Sequence, residues 1–362
     1  MVMALCVSNF QRCALQCSKH FLNRVEGKYV QLYKPLTRCH HAVSQQIRQP
    51  QFQHTCQCRT FKTRPKLVPE PNNVPRNQNG QSGFLRPLCF TAVVCCGSFT
   101  GAMVWQYESM RSHARKIMKS MERKSDEIFQ PYYSKQFEFR SHINNMWNTM
   151  TPGKKMVATI IASNVAIFFL WKVPSMQRAM MKYFTCLPLQ SSPVVSMVLS
   201  AFSHYNFWHL AANMYVLWSF SSISLSLFGR EQFFAVYMSA AALSALTSSI
   251  NKLARFRMVA SLGASGAIMA ILGAVCVSFP DSRLSIAFVS EVFPHSFTAD
   301  SALKFLLALD TAGVVLGWRI FDHAAHLGGM LFGIWYVKYG RDLIWKNRDV
   351  VMKSWHNYRG KP

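Results

Sequence analysis

Long uncharged segments alternate with short polar joints along most of this chain. A helix needs about 20 mostly apolar residues to cross a bilayer, and a backbone in lipid must satisfy its hydrogen bonds within its own segment. The pattern therefore predicts transmembrane helices, with a loop held at the membrane surface over residues 183–200. The seven predicted spans are residues 88–105, 156–171, 201–227, 232–251, 258–280, 301–318 and 323–339.

The spacing of these spans predicts an all-α polytopic membrane protein in which one extra transmembrane helix precedes a core of six (a 1+6 arrangement). A polar stretch over residues 106–155, with ten Lys or Arg and five acids, separates the first span from the second. The predicted segments are a leader over 1–83, the extra helix over 84–107, a polar connecting loop over 108–153, the core over 154–340 and a tail over 341–362.

The leader is strongly basic, with twelve Lys or Arg against two acids, Glu26 and Glu70. An Arg-rich and acid-poor N-terminus that lacks a long apolar run is typical of a mitochondrial transit peptide. A disordered basic tail on any membrane protein has a similar composition and is the alternative. The sequence favours mitochondrial import.

The whole chain has a formal net charge of +25, but only 15% of its residues are charged and 50% are hydrophobic. The basic residues flank apolar runs, as they do at membrane edges, and do not cover a folded module with interleaved aromatics. This pattern excludes nucleic acid as a partner and indicates the lipid bilayer. The eleven Cys form no CxxC pair and no metal-ligand spacing, which predicts no metal, no cofactor and no structural disulfide.

Three polar clusters interrupt the predicted spans, where such side chains are costly and often functional. The first cluster places Ser265 between Gly263 and Gly266, near the start of the fifth span. A Ser hydroxyl becomes a nucleophile when a neighbouring base activates it. Small residues around a Ser also let another helix approach closely, so a helix-packing face is the alternative interpretation.

The second cluster, at the start of the seventh span, contains His323, His326 and Gly329. A neutral imidazole is the usual proton acceptor for a Ser hydroxyl. Because His326 and Gly329 lie on one helix face, Gly329 would let that face pack tightly on the helix of Ser265. His323 lies nearer the helix end, where we expect an interfacial position, so His326 is the favoured base.

The third cluster enters the third span and contains His204, His209 and Asn213. His209 and Asn213 are four residues apart and share a helix face, an arrangement suited to donating to a developing oxyanion. A pair of interhelical hydrogen bonds is the alternative. The clusters lie near the N-terminal ends of alternate spans, which run in the same direction, so we expect all three at one level on one side of the membrane.

These residues resemble the rhomboid family of intramembrane serine proteases. The resemblance rests on HxxxN at His209 and Asn213, GASG around Ser265, and AHxxG at His326 and Gly329, and it extends over the predicted core. It implies a six-helix rhomboid core and a Ser–His dyad without a third acid.

By this resemblance, Ser265 attacks a scissile carbonyl and His326 takes its proton. The backbone N–H of Ser265 stabilises the oxyanion together with His209 and Asn213, and His204 has a supporting role. The implied substrates are single-pass transmembrane proteins whose helices unwind locally near the cut. The implied location is the mitochondrial inner membrane.

Two features depart from the bacterial members of the family. Met269 stands where they carry a Tyr beside the catalytic His, and the first loop lacks their Trp-Arg pair. Neither departure removes a reacting group. The resemblance assigns Gly263, the first residue of the GASG motif, to the region that supports the oxyanion.

The sequence lacks the motifs of two other classes of membrane protease. No HExxH zinc motif is present, and an aspartyl protease needs two facing Asp, whereas only Asp310 lies within a predicted span. We expect Asp310 to pair structurally with a neighbouring helix or loop, and Asp322 to be an interfacial charge or to orient His326. A catalytically inactive rhomboid-like protein that binds membrane clients is the alternative function. A transporter is disfavoured because neither repeat symmetry nor a charged pathway is visible.

Overall fold

The computed structural model describes residues 80–123, 138–188, 193–284 and 296–360. The predicted leader falls almost wholly outside these ranges. The described residues confirm the predicted fold class, an all-α polytopic membrane protein. Its α-helices are α1 (Gly80–Arg123), α2 (Glu138–Thr149), α3 (Pro152–Leu170), α4 (Gln177–Tyr183), α5 (Ser196–Leu199), α6 (Phe207–Ala254), α7 (Ser265–Ser278), α8 (Ala299–Leu316), α9 (His323–Trp335) and α10 (Arg348–Arg359).

Short irregular elements join these helices. Two 3₁₀ turns cover Pro174–Met176 and Ser200–Phe202, and a π-helical stretch over Tyr336–Trp345 continues α9. Strands β1 (Arg283–Leu284) and β2 (Phe297–Thr298) pair in antiparallel register before α8.

Three of the described helices are long and apolar enough, by length and composition, to cross a membrane: Leu85–Met121, Pro152–Leu170 and Phe207–Ala254. The 48-residue helix α6 is interrupted at Gly229, whose φ of 74° and ψ of 177° are not helical. Glycine adopts positive φ without a Cβ clash. The interruption falls at the joint predicted between the third and fourth spans, so α6 contains both of them.

Two helices begin later than their apolar runs predicted. The third span was expected from residue 201, but α6 begins at Phe207, and the fifth was expected from residue 258, but α7 begins at Ser265. The residues before each helix form connecting segments that hydrogen-bond to each other, as between the Gly263 N–H and the Ser200 carbonyl at 2.9 Å. Hydropathy measures apolar character and not backbone conformation, so it placed both helix starts too early.

Side-chain caps begin most of the long helices but not α7. The Asn206 side chain accepts hydrogen bonds from the first turn of α6, Thr298 does so for α8 and Asp322 for α9. Such caps satisfy the N–H groups that have no acceptor within the helix. Ala264 occupies the corresponding position of α7 and provides no side-chain cap. The first turn of α7 therefore keeps unsatisfied N–H donors beside Ser265.

The extra helix α1 and the C-terminal helix α10 pack on the core and on each other. Phe99 of α1 stacks on Tyr336, with ring centroids 5.1 Å apart, and Trp105 meets Phe234 of α6 edge-on at 6.1 Å. The Trp355 indole of α10 donates to Glu108 Oε1 of α1 at 2.9 Å. The helix that precedes the six-helix core is therefore part of the same packed unit.

Helices α7 and α9 touch backbone to backbone. A Cβ built on Gly329 would collide with the carbonyl oxygen of Gly266, and one built on Gly333 would collide with the carbonyl oxygen of Ala270. Small residues four apart on both helices allow this approach, the usual form of close helix packing in membranes. The helix carrying His326 is thereby held at a fixed distance from the helix carrying Ser265.

Gly329→Ala and Gly333→Ala are each expected to lower the free energy of unfolding by about 1–3 kcal/mol, because overpacking forces two backbones apart. Unfolding of the purified protein in detergent, followed by helical circular dichroism, measures the change. Gly97→Ala and Gly101→Ala in α1 are matched controls, because a Cβ at either meets nothing within 4 Å. Equal stability changes in the two pairs would contradict this account of the α7–α9 interface.

Candidate active site

Ser265 is the first residue of α7, and the loop before it is held by hydrogen bonds from both sides. Ser261 pairs with Cys186 in an isolated antiparallel bridge. The Ala264 N–H donates to His204 Nε2 at 3.3 Å. Gly263 has a φ of +131°, a conformation that side chains disfavour. The loop therefore places Ser265 at the start of the helix, where the residue is partly buried.

His326 lies in the first turn of α9 and faces Ser265. Its Nε2 is 2.8 Å from Ser265 Oγ, and its side chain is buried. When the hydroxyl donates to Nε2, the proton of a neutral imidazole must sit on Nδ1. The Phe321 ring lies beside the imidazole, with centroids 6.2 Å apart and planes tilted by 33°.

Asp310 of α8 lies on the other side of the two imidazoles. Its Oδ1 is 3.4 Å from His326 Nδ1 and 2.7 Å from His323 Nδ1. All three side chains are buried within the protein. His323, expected near the helix end, is buried because the first turn of α9 lies against α8. The structural pairing expected for Asp310 exists, but it reaches His326 as well as His323, so an acid accompanies the Ser and His.

Asp322 does not contact the imidazole of His326. Its Oδ1 accepts from the Ala325 N–H at 3.2 Å, and its Oδ2 bonds Lys252 Nζ at 2.8 Å and Ser248 Oγ at 2.5 Å. Of the two roles considered for Asp322 from the sequence, orientation of His326 is wrong. The residue is a helix cap and ion-pair partner that fixes the start of α9 against the end of α6.

The third cluster lies against the loop that precedes Ser265. A Cβ on Gly263 would be 2.7 Å from His209 Cε1, so this glycine makes room for the imidazole. The rings of His204 and His209 meet edge to face, with centroids 4.9 Å apart. Asn213 lies one turn further along α6 and donates one amide N–H to the His209 carbonyl at 2.8 Å. His204 precedes α6 and lies in the connecting segment, where it bonds the Ser265 loop.

A cavity of about 30 Å³ adjoins Ser265. This volume has room for about two water molecules. Its lining combines small apolar residues with four further Ser residues and one Asp. The polar lining residues are Ser200, Ser244, Ser248, Ser261, Ser265 and Asp322.

Sequence reasoning missed two residues that contact His326. Asp310 is separated from it by a whole interhelical joint, and Phe321 lies in that joint, so no spacing along the chain linked either residue to the imidazole. Met269, at the position where bacterial members of the family carry a Tyr, is buried, and Phe321 is an aromatic neighbour of His326. In the part of the chain that the structure describes, no group of three or more His, Cys, Asp or Glu is arranged to hold a metal ion.

A helical membrane fold with a Ser–His pair at the ends of two closely packed helices agrees with what comparison to known proteins finds. Residues 191–342 match the Rhomboid domain family. The chain belongs to the rhomboid family, as the motifs had indicated.

Its relatives within that family include proteins named as mitochondrial. Presenilin-associated rhomboid-like protein, mitochondrial, of Homo sapiens is 49% identical over 276 residues, which are 76% of this chain and 72% of that protein. Presenilin-associated rhomboid-like protein A, mitochondrial, of Danio rerio is 44% identical over 292 residues, 76% of each chain. Rhomboid protein 1, mitochondrial, of Saccharomyces cerevisiae is 36% identical over 220 residues, 60% of this chain and 62% of that protein.

Proposed function

We propose that this protein is an intramembrane serine endopeptidase in which Ser265 is the nucleophile and His326 is the general base. The observation that carries the proposal is the 2.8 Å contact between Ser265 Oγ and His326 Nε2, made between two helices of a membrane protein. A Ser hydroxyl is a weak nucleophile until an adjacent base takes its proton. Membership of the rhomboid family supports the same chemistry.

In the proposed reaction, Ser265 Oγ attacks the scissile carbonyl carbon while its proton moves to His326 Nε2. The tetrahedral intermediate collapses, His326 returns the proton to the leaving amine, and an acyl-enzyme ester remains. Water then attacks the ester while His326 accepts the water's proton. The second intermediate collapses, His326 returns the proton to Ser265 Oγ, and the new carboxyl group is released with the enzyme regenerated. The polar cavity beside Ser265 provides space for this water.

The oxyanion of each intermediate needs donors already aimed at it. The Ser265 N–H belongs to the uncapped first turn of α7, where backbone donors lack helical acceptors. His209, packed on Gly263, is the second donor in this proposal. Asn213 uses one amide N–H on the His209 carbonyl and offers the other, while His204 holds the loop through Ala264.

The sequence predicted a Ser–His dyad. In our proposal Asp310 is a third member, which makes the arrangement Ser–His–Asp. Its Oδ1, at 3.4 Å, is the acceptor for the proton on His326 Nδ1. This contact selects the tautomer that leaves Nε2 able to accept from Ser265. The carboxylate also compensates the positive charge that His326 gains in the transition state.

We further propose that the substrates are single-pass transmembrane proteins and that the enzyme lies in the mitochondrial inner membrane. The peptide bonds of a transmembrane helix are hydrogen-bonded within that helix, so a substrate helix must unwind locally for Ser265 to reach a scissile carbonyl. The names of the relatives above, together with the basic leader, support import into mitochondria.

Ser265→Ala and His326→Ala are each expected to lower the cleavage rate of a transmembrane peptide in proteoliposomes by at least about 10⁴-fold, because each removes half of the nucleophile–base pair. A fluorophosphonate should modify the wild type at Ser265 and neither variant. Ser278→Ala is the matched control, since its hydroxyl lies at the other end of α7 and bonds the Ala274 carbonyl.

Cleavage that persists in Ser265→Ala would refute the mechanism. A folded wild-type protein that neither cleaves the peptide nor reacts with the probe would favour the alternative function, an inactive rhomboid-like protein that binds membrane clients. Binding of the same transmembrane peptide, measured by fluorescence in the liposomes, would then be the expected activity.

Asp310→Asn is expected to lower kcat by roughly 10²- to 10⁴-fold while KM and the melting temperature change little. The amide still accepts from His323, but it carries no charge to compensate the imidazolium and can present a donor to His326. Asp300→Asn at the exposed start of the same helix, where Asp300 pairs with Lys304 at 2.6 Å, is the control. Wild-type kcat in Asp310→Asn would rule out the third residue and leave a Ser–His dyad.

A further inference from the structure

Two imidazoles share one carboxylate oxygen in the interior of this protein. Asp310 Oδ1 is 2.7 Å from His323 Nδ1 and 3.4 Å from His326 Nδ1. The shorter contact therefore belongs to the His that does not touch Ser265. Any orientation that Asp310 gives to His326 depends on how His323 holds the carboxylate.

The hydrogen-bonding inventory indicates which atom of His323 carries the proton. Asp310 Oδ2 and His323 Nε2 are both buried and have no hydrogen-bond partner among the described residues. A charged His323 would leave its Nε2–H buried and unsatisfied, which is costly. The neutral form with the proton on Nδ1 satisfies its one donor through Asp310 and leaves a bare Nε2. His323 is thus a fixed donor to Asp310.

The surroundings hold the His323 ring in one orientation. A Cβ on Gly313 would collide with this ring, so the imidazole lies flat against the α8 backbone. The Trp318 and Phe321 rings meet it edge to face, with centroids 5.7 and 5.9 Å away. Because the His323 ring is packed on three sides, it holds the Asp310 carboxylate that it bonds in one position.

We infer that His323 is a positioning residue for the reaction: its Nδ1–H fixes the Asp310 carboxylate so that Oδ1 faces His326 Nδ1. The inference rests on the proposed function. In the resting enzyme the His326–Asp310 contact is long. It shortens toward the length of a charge-assisted hydrogen bond, about 2.8 Å, when His326 takes the Ser265 proton. His323 keeps the carboxylate in place while this happens.

A purely structural interpretation is the rival, in which Asp310 and His323 tie α8 to α9 and have no effect on the chemical step. The two interpretations differ in which measured quantity a substitution changes. Loss of a structural tie lowers the melting temperature and leaves kcat unchanged. Loss of a positioning residue lowers kcat at constant KM and has no effect once Asp310 is already replaced.

The test compares four full-length variants in proteoliposomes, with kcat and KM measured on one transmembrane peptide: His323→Phe, His323→Asn, His323→Gln and the double variant Asp310→Asn/His323→Phe. His323→Phe keeps the ring shape without a donor, and we expect kcat to fall about tenfold. His323→Asn should recover most of that loss, because its amide nitrogen replaces Nδ1. His323→Gln should not, because its amide nitrogen replaces the partnerless Nε2.

The double variant should lose no more kcat than Asp310→Asn alone, because both substitutions act through the same carboxylate. Wild-type kcat in His323→Phe, equal recovery by Asn and Gln, or a double variant in which the two losses multiply would each overturn the inference. If His323→Phe does not fold, the comparison of Asn with Gln decides. Ser265→Ala in the same series distinguishes failure of the proposed function from failure of this inference. Cleavage by Ser265→Ala would refute the proposed function. An inactive Ser265→Ala beside a His323→Phe variant with wild-type kcat would refute only the role of His323.

Discussion

The contact between the backbones of α7 and α9 is the constraint on which the candidate site depends. Gly329 and Gly333 lie against the carbonyl oxygens of Gly266 and Ala270, and no side chain separates the two helices there. Lipid provides no hydrophobic force between helices, so packing at this distance provides the attraction. It also sets the position of His326, which is one turn from Gly329, relative to Ser265. A 2.8 Å hydrogen bond between these residues requires that the two backbones cannot drift apart.

A second constraint is the cost of burying a carboxylate inside a membrane protein. Asp310 is almost completely buried, where an unpaired charge is strongly unfavourable. Two imidazole Nδ1 atoms face it, at 2.7 and 3.4 Å. In the proposed mechanism, the same arrangement that makes the charge tolerable also orients His326. Stability and proposed chemistry therefore depend on one set of contacts, and helix α8 belongs to the proposed site together with α7 and α9.

The loop before α7 joins these constraints to the third cluster. Its hydrogen bonds to Ser200, Cys186 and His204 anchor it in the connecting segments before α6, while Asp322 and Lys252 tie the end of α6 to the start of α9. The ends of three helices are thus fixed to each other on one side of the core. The first turn of α7 remains uncapped in the middle of this network, so backbone donors are available where the proposed oxyanion forms.

The sequence by itself determined the fold class and the family. A helix that crosses a bilayer must be long and apolar, and such runs can be identified directly in the sequence. Most spans and the break at Gly229 were therefore predicted. The motifs around Ser265, His326 and His209 are local, and they sufficed to identify the rhomboid family. Only the tertiary structure decided where α6 and α7 begin, because hydropathy does not distinguish a helix from an apolar connecting segment. The tertiary structure alone also decided the partners of Asp310, His323 and Phe321. Those contacts depend on how α8 and the segment after it pack against α9, and a single sequence carries no signal for that packing.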